Sequence, residues 1–405
     1  MKALRTGSKE LIKEINRFKV LNIIRQQQPI SRSEISRQCK LGISTLSYIM
    51  EELKSQDLIY EVGEATSTGG RKAKLLKFNE GHGYVVSIKI EEEQILIALT
   101  NLDGATLLKT YASFEKKASA ETIVFLIKKK VKWIFSEEDK DISRLLGIGV
   151  LSSGIVNRNE GKIIRSSLLG WEDVSITSMI KECFPDIPVF VDNNINGYTL
   201  AELEKGEGQK DNDFLVVSIG AGLGLSVVID RNIYYGAVGG AGEFGHTNLV
   251  MEGYSCHCGQ KGCLEMYASE FYFENRLKEL ADKQPDLEER DYHFSKVAMD
   301  AEEGDLLATS LMKEMGTHLG YGLRNLINTM NPDKIIVVGE GVKYKHLFED
   351  EVLTIAQDNF FEKVNIKTDI VFSHLKDDSW FTGGSLLAIN QLFREPIYQQ
   401  MKAED

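Results

Sequence analysis

Three of the five cysteines in this 405-residue chain, Cys256, Cys258 and Cys263, fall within eight residues of one another. The run Cys256-His257-Cys258-Gly259-Gln260-Lys261-Gly262-Cys263 has metal-ligand spacing and does not resemble a disulfide framework. His246, ten residues upstream, completes a Cys3His set of the kind that holds tetrahedral zinc. His257 is a rival fourth ligand, but its place between two ligands strains the chelate. The alternative is three reduced cysteines with no ion. With every vertex supplied by protein, the zinc is expected to be structural.

Around this loop lie Glu243, three residues before His246, and Glu265, two after Cys263. Carboxylates and an imidazole fixed by a rigid loop suit the hydroxyls of a carbohydrate. Asp192-Asn193-Asn194 follows the apolar run Pro188 to Val191 and precedes a helical stretch, Tyr198 to Glu204. Ligand residues collect at such strand ends in open α/β sheets. Asn193 and Asn194 are equally suited to capping the helix. Gly220-Ala221-Gly222-Leu223-Gly224 could present bare amides to an anion, or could simply be a tight strand–strand turn.

The elements that must position these residues form a repeat. Val85 to Ile90 followed by Gln94 to Leu99, with Asp103-Gly104, is one apolar hairpin; Val216 to Ala221 followed by Gly224 to Ile229 is a second. More strand follows each, at Leu145 to Leu151 and Lys334 to Val338. Two such α/β halves across a cleft are the plan of actin-like sugar kinases, where the first turn of each half cradles nucleotide phosphates. Here the first half carries Glu91-Glu92-Glu93 at that turn, which would repel a triphosphate. No carboxylate stands at Ser87, where a metal–phosphate kinase needs one. Leu319 to Met330 and Phe381 to Phe393 are apolar enough to pack in a core or between subunits.

Charge divides the chain. The first 80 residues carry 15 Lys and Arg against 9 Asp and Glu, a net of +6, whereas the whole chain is at −12. A basic head on an acidic body is expected where only the head meets a polyanion. Ser8 to Gln28 reads as a helix ended by Pro29. Ser31 to Glu34 has the capping-box form and opens a helix to Cys39. Leu41-Gly42 is expected to turn through positive φ into a third helix from about Ser44 to Gln56. Strand candidates at Leu58 to Tyr60 and Leu75 to Phe78 flank a loop with a basic tip. The pattern is a winged helix-turn-helix. Ser44, Thr45, Ser47 and Tyr48 face outward at the start of the third helix. Arg32, Arg37 and Lys40 can hold phosphates, and Gly70, Arg71 and Lys72 form the wing tip. Glu51 and Glu52 would oppose a phosphate if they faced it. A three-helix protein-interaction module is the alternative.

These motifs are similar to those of the ROK family of repressors and sugar kinases over essentially the whole chain. The likeness is closest to its winged-helix repressors, such as the N-acetylglucosamine and xylose repressors. Gly239 to His246 and Cys256 to Glu265 resemble its two signature segments, Gly147 to Gly154 its sugar-contacting turn (with Ser153 where Pro is usual), and Thr68 to Lys72 its wing. The resemblance implies that Gly154, Asn193, Glu243, His246 and Glu265 contact sugar, that Asn194 binds it too by bonding the hydroxyl, and that His246 also ligates zinc. Family kinases carry an Asp at the position of Asn194 as the base, and an amide cannot take that proton.

The expected fold is α/β: a winged helix-turn-helix at 1–80, then an actin-like (ribonuclease H-like) body with lobes at 81–200 and 201–405, its last helix packing back on the first lobe. The expected function is a sugar-responsive, catalytically silent repressor acting on operator DNA as a homodimer or homotetramer. An active sugar kinase with a fused DNA-binding head is the alternative. No apolar run approaches the roughly 20 residues of a membrane span, and no signal sequence is evident, so a cytoplasmic site is expected.

Overall fold

The computed structural model describes residues 8–64 and 74–394. In the head, α1 (Lys9–Gln27) begins where the Ser8 hydroxyl accepts the Leu11 amide at 3.1 Å. The two-residue strand β1 (Ile30–Ser31) leads into α2 (Arg32–Cys39), which has the expected capping box between Ser31 and Glu34. The next turn departs from expectation. Gly42 is extended (φ −62°), and the left-handed residue is Lys40 (φ 54°), which gives its amide to Ser36. The reversal comes directly after α2 because its last carbonyls need a capping amide there. Gly42 therefore serves as the N-cap of α3 (Ile43–Ser55). Strands β2 (Ile59–Glu64) and β3 (Lys74–Phe78) complete a sheet of order β1-β3-β2. The wing tip with Gly70, Arg71 and Lys72 lies outside the described residues.

The first lobe begins with β4 (Tyr84–Ile90), β5 (Gln94–Thr100) and β6 (Thr106–Ser113), continues through α4 (Ala120–Glu137) to β7 (Leu145–Ser152), and inserts a small sheet of β8 (Ile155–Asn157), β9 (Lys162–Ser166) and β10 (Trp171–Val174). Then come α5 (Ile176–Cys183), β11 (Val189–Asn193) and α6 (Asn194–Lys205). The second lobe has β12 (Phe214–Ile219), β13 (Leu223–Ile229) and β14 (Asn232–Ile233), then the cysteine loop. Helices α7 (Glu270–Ala281), α8 (Phe294–Glu302) and α9 (Leu306–Met330) lead to β15 (Lys334–Val338), α10 (Glu349–Gln357), β16 (Asp369–Phe372) and α11 (Ser379–Leu392).

The two main sheets share one topology. Their orders are β11-β7-β4-β5-β6 and β14-β13-β12-β15-β16. In each, an antiparallel meander is followed by two strands parallel to its first strand. Parallel neighbours need crossover connections, which the helices supply while covering the sheet faces.

Leu319, Leu323 and Ile327 of α9 lie in the second lobe's core. Helix α11, last in sequence, packs on β4 and β7 of the first lobe and crosses α6. The crossing needs glycine: a Cβ on Gly383 would lie 1.7 Å from the Gly197 carbonyl oxygen. The head is seated on the far end of α11. Phe78 meets Phe393 edge-on at 5.5 Å, Asn22 Nδ2 donates to the Phe393 carbonyl at 2.9 Å, and Arg25 donates to Asn390 at 3.2 Å. Head residues Val20, Ile24 and Phe78 share one apolar core with Val85, Leu102 and Ile389 of the body.

Candidate functional site

The cysteine loop brings four ligand atoms together. Cys256 Sγ is 3.6 Å from His246 Nδ1, Cys258 Sγ is 3.7 Å from Cys263 Sγ, and ligand atoms of all four residues lie within 4.8 Å of one another. The edges of a tetrahedron with Zn–S bonds of about 2.3 Å and a Zn–N bond of about 2.0 Å measure roughly 3.5–3.8 Å. The residues therefore fit zinc. Burial raises the Cys256 and Cys263 thiols; a bound divalent cation would stabilise their thiolates instead. The His257 ring turns out of this set. Its Nε2 is 2.7 Å from Glu265 Oε2 and its Nδ1 is 2.9 Å from Ser167 Oγ in the first lobe.

The polar residues of the cleft come from both lobes. Asn193, at the end of β11, accepts the Ile195 amide and donates to the Gly154 carbonyl at 2.7 Å. It is thus an N-cap as well as a bridge between two strand ends. Behind it Asp192 is buried, held by Arg158 at 3.0 Å, Asn196 at 2.7 Å and Tyr235 at 3.1 Å. Asn194 opens α6, and its Oδ1 is buried with no hydrogen-bond partner. From the second lobe, Glu243 Oε2 is 3.8 Å from His246 Nε2. Burial raises the Glu243 carboxyl, with His246 opposing and Glu265 adding to the rise. Glu265 Oε1 accepts the Leu223 amide at 3.1 Å, so the metal loop also braces the glycine turn. Gly239 and Gly240 lie against Val156 and Ile155, next to Gly154. Gly154 and Asn193 are joined directly, and Glu243, His246 and Glu265 form a second group. The Ser167–His257 contact joins the first lobe to Glu265 of the second group.

The two first turns differ. Between β4 and β5 the Glu91 amide bonds the Gln94 carbonyl at 2.9 Å and Lys89 pairs with Glu91 at 2.8 Å, closing a tight hairpin. Between β12 and β13 the glycine turn already holds an anion from its own chain: Glu340 Oε1 accepts the Ala221 amide at 2.5 Å. A Cβ on Gly220 would lie 2.3 Å from the Glu340 carboxyl carbon. Burial raises the Glu340 carboxyl, and Lys89 opposes the rise. Tyr198 donates to Asp377 at 3.1 Å, and Lys89 sits 5.0 Å over the Trp380 ring. Sequence reasoning missed Glu340, although its place after Gly339, at the end of β15, was a signal.

On the head, Ser44, Thr45 and Tyr48 are exposed and Ser47 is half-buried, all at the start of α3; Arg32, Arg37 and Lys40 are exposed on α2 and its cap. The acidic residues of α3 are already paired. Glu51 lies 3.6 Å from Arg32 and 3.4 Å from Lys54, while Glu52 lies 3.4 Å from Lys13 and 3.3 Å from Arg17. The Tyr48 hydroxyl accepts from Lys13 at 2.9 Å. On β2, Glu61 is held by Lys54 and Lys74, which lower its carboxyl to about 2.

No described helix is long and apolar enough to cross a membrane. Residues 85–391 match the ROK family, and residues 13–60 match a winged helix-turn-helix DNA-binding family. The xylose repressor of Caldicellulosiruptor bescii is 29% identical over 402 residues, covering 97% of this chain and 100% of that one. A solved structure described as a ROK family transcriptional regulator, homolog of the E. coli MLC protein, superposes with a TM-score of 0.80 at 25% identity, over 96% of this chain and 98% of that one. A ROK glucokinase from Streptomyces griseus, solved with glucose and AMPPNP, superposes with a TM-score of 0.65 at 23% identity, over 76% of this chain and 99% of that one, a likeness of fold alone. The chain belongs to the ROK family, with an N-terminal winged helix-turn-helix joined to the family's two-lobed, sugar-kinase-like body.

Proposed function

We propose that this protein is a transcriptional repressor whose kinase-like body binds a sugar without phosphorylating it and thereby controls the head's grip on operator DNA. The carrying observation is Asn194 at the opening of α6, directly after Asn193, which is tied to Gly154: an amide stands where phosphoryl transfer would need a base. As an amide, Asn194 cannot take the hydroxyl proton that phosphoryl transfer must remove. Glu340 adds a second obstacle by placing a carboxylate on the amide that would meet a phosphate.

The sugar contacts in this reading are Gly154, Asn193, Asn194, Glu243, His246 and Glu265. His246, Cys256, Cys258 and Cys263 would hold zinc, which would cross-link the loop that carries three of them. His246 Nδ1 lies 3.6 Å from Cys256 Sγ, and its Nε2 lies 3.8 Å from Glu243 Oε2. Phosphates meet Arg32, Arg37 and Lys40; Gly70, Arg71 and Lys72, outside the described residues, are assigned to DNA contact by residue type alone. Ser44, Thr45, Ser47 and Tyr48 enter the major groove. A homodimer, or a homotetramer built from such dimers, would read two half-sites spaced by whole turns of about 10 bp.

Coupling runs through two helices. Asn194 begins α6, α6 crosses α11 at Gly197 and Gly383, and Phe393 just beyond α11 carries the head. A ligand that draws the lobes together shifts this crossing and moves the head, and it does so only by its preference for one arrangement. The test is fluorescence anisotropy with DNA from upstream of the protein's own gene, with and without xylose, glucose and N-acetylglucosamine. One of these sugars is expected to weaken binding at least about ten-fold, a coupling of about 1.4 kcal/mol. The same sugar should raise the melting temperature of the native protein and not of Asn194→Ala. DNA affinity unmoved by any sugar that binds would overturn the proposal.

A further inference from the structure

The apolar residues of α3 divide sharply. Leu46, Ile49, Met50 and Leu53 are each at most 3% exposed, whereas Ile43 is 80% exposed. Ile43 stands three residues before Leu46, so helical spacing alone would put it on the inner face. Ile43 is the first residue of α3, directly after the Gly42 cap. The isoleucine projects from the tip of the helix into water. Beside it is a hollow of about 400 Å³ lined by Arg32, Ser33, Ser36, Arg37, Ile43, Leu46 and Ser47. An exposed isoleucine that shares a hollow with two arginines and three serines is a poor solvated surface and a good complement to a duplex edge. Phosphates would meet the arginines, and an apolar group in the groove would meet the isoleucine. The major groove displays one such group, the C5-methyl of thymine.

Resting on the reading of the head as a DNA-binding module, we propose that Ile43 reads sequence, and that each operator half-site places a thymine methyl against it. Ser44, Thr45 and Ser47 then supply hydrogen bonds around that contact, and Arg32 and Arg37 fix the register.

The experiment uses the full-length protein and a duplex selected from a random pool by binding. Each thymine is replaced in turn by deoxyuridine, which removes the methyl and preserves base pairing. For the native protein, one position in each half-site is expected to lose about four-fold in affinity, the factor for one buried methyl group. Ile43→Ala is expected to bind the unmodified duplex more weakly and to lose its sensitivity at that position alone; Ile43→Val should retain most of it. Matching melting temperatures for the three proteins, expected of an exposed position, exclude a folding effect. If the native protein binds specifically but no thymine responds, or Ile43→Ala responds equally, the thymine contact is wrong while the DNA-binding reading stands. If no duplex is selected at all, both fall together.

Discussion

The first turn of one lobe and the first turn of the other occupy equivalent places in sheets of the same strand order, yet they use opposite chemistry. The Glu91–Glu93 turn is closed on itself by its own amide, by Gln94 and by Lys89. The Gly220–Gly222 turn keeps an approachable backbone, and Glu340 fills it. Strand order survives in both because apolar alternation and crossover helices determine it. Turn chemistry is free to diverge because a turn's side chains contribute little to the core. One turn is closed by its own side chains and the other is occupied by a carboxylate from the same chain.

The most severe loss is expected at a second asymmetry, since among the described residues the cluster that could hold a metal lies in the second lobe. Cys258→Ser should lose the zinc, about one ion per chain by elemental analysis, and lower the melting temperature by about 10 °C or more. Retained zinc with unchanged melting would remove the loop as the brace of Glu265 and the glycine turn. Next in size is the crossing between the halves. Gly383→Ala should cost about 3 kcal/mol in denaturant unfolding, because its Cβ meets backbone at 1.7 Å. It should also blunt the sugar response of DNA binding; a variant of native stability and response would break the coupling route.

Glu340→Ala separates the two turns by experiment. Removing the internal carboxylate frees the Ala221 amide, and calorimetry should show ADP binding at least about ten-fold tighter than in the native protein. Neither protein should release ADP from ATP with xylose or glucose while Asn194 remains. Turnover by the native chain would reverse the account of both turns.

The smallest effect is in the head. The Glu61 carboxyl is lowered from 4.5 to about 2 by Lys54 and Lys74. A lowered carboxyl stabilises the fold fully above its unfolded value and loses that contribution as pH falls. The window is therefore pH 4.5 down to about 2. Glu61→Gln should melt lower than native at pH 6 and converge with it near pH 2. Because the pair is partly solvated, the gap should also shrink in high salt.

Much of this molecule was legible in its residues. Strand β15 has the limits expected from its apolar run, and α2 opens on the capping box read from Ser31 and Glu34. The third strand of each meander was not legible. β6 is mostly exposed and β14 has two residues, so neither carries an apolar alternation. The turn before α3 was read with Gly42 as its left-handed residue, whereas Lys40 takes that role because the end of α2 needs its cap one step earlier. Asn193 was equally a ligand or a cap by type; its hydrogen bonds make it a cap that also ties Gly154.

The order of residues sets what is local: helix and strand periods, the repeat, the charged head, and four potential zinc ligands confined to the segment from His246 to Cys263. The distant encounters come from packing. Glu340 meets Ala221 across 119 residues, His257 meets Ser167 across 90, and Asn22 meets Phe393 across 371. Residue type and spacing report the geometry of a few turns of chain. Which distant carboxylate fills a glycine turn, and which helix end carries the head, depends on how whole layers pack, and no short-range pattern records that.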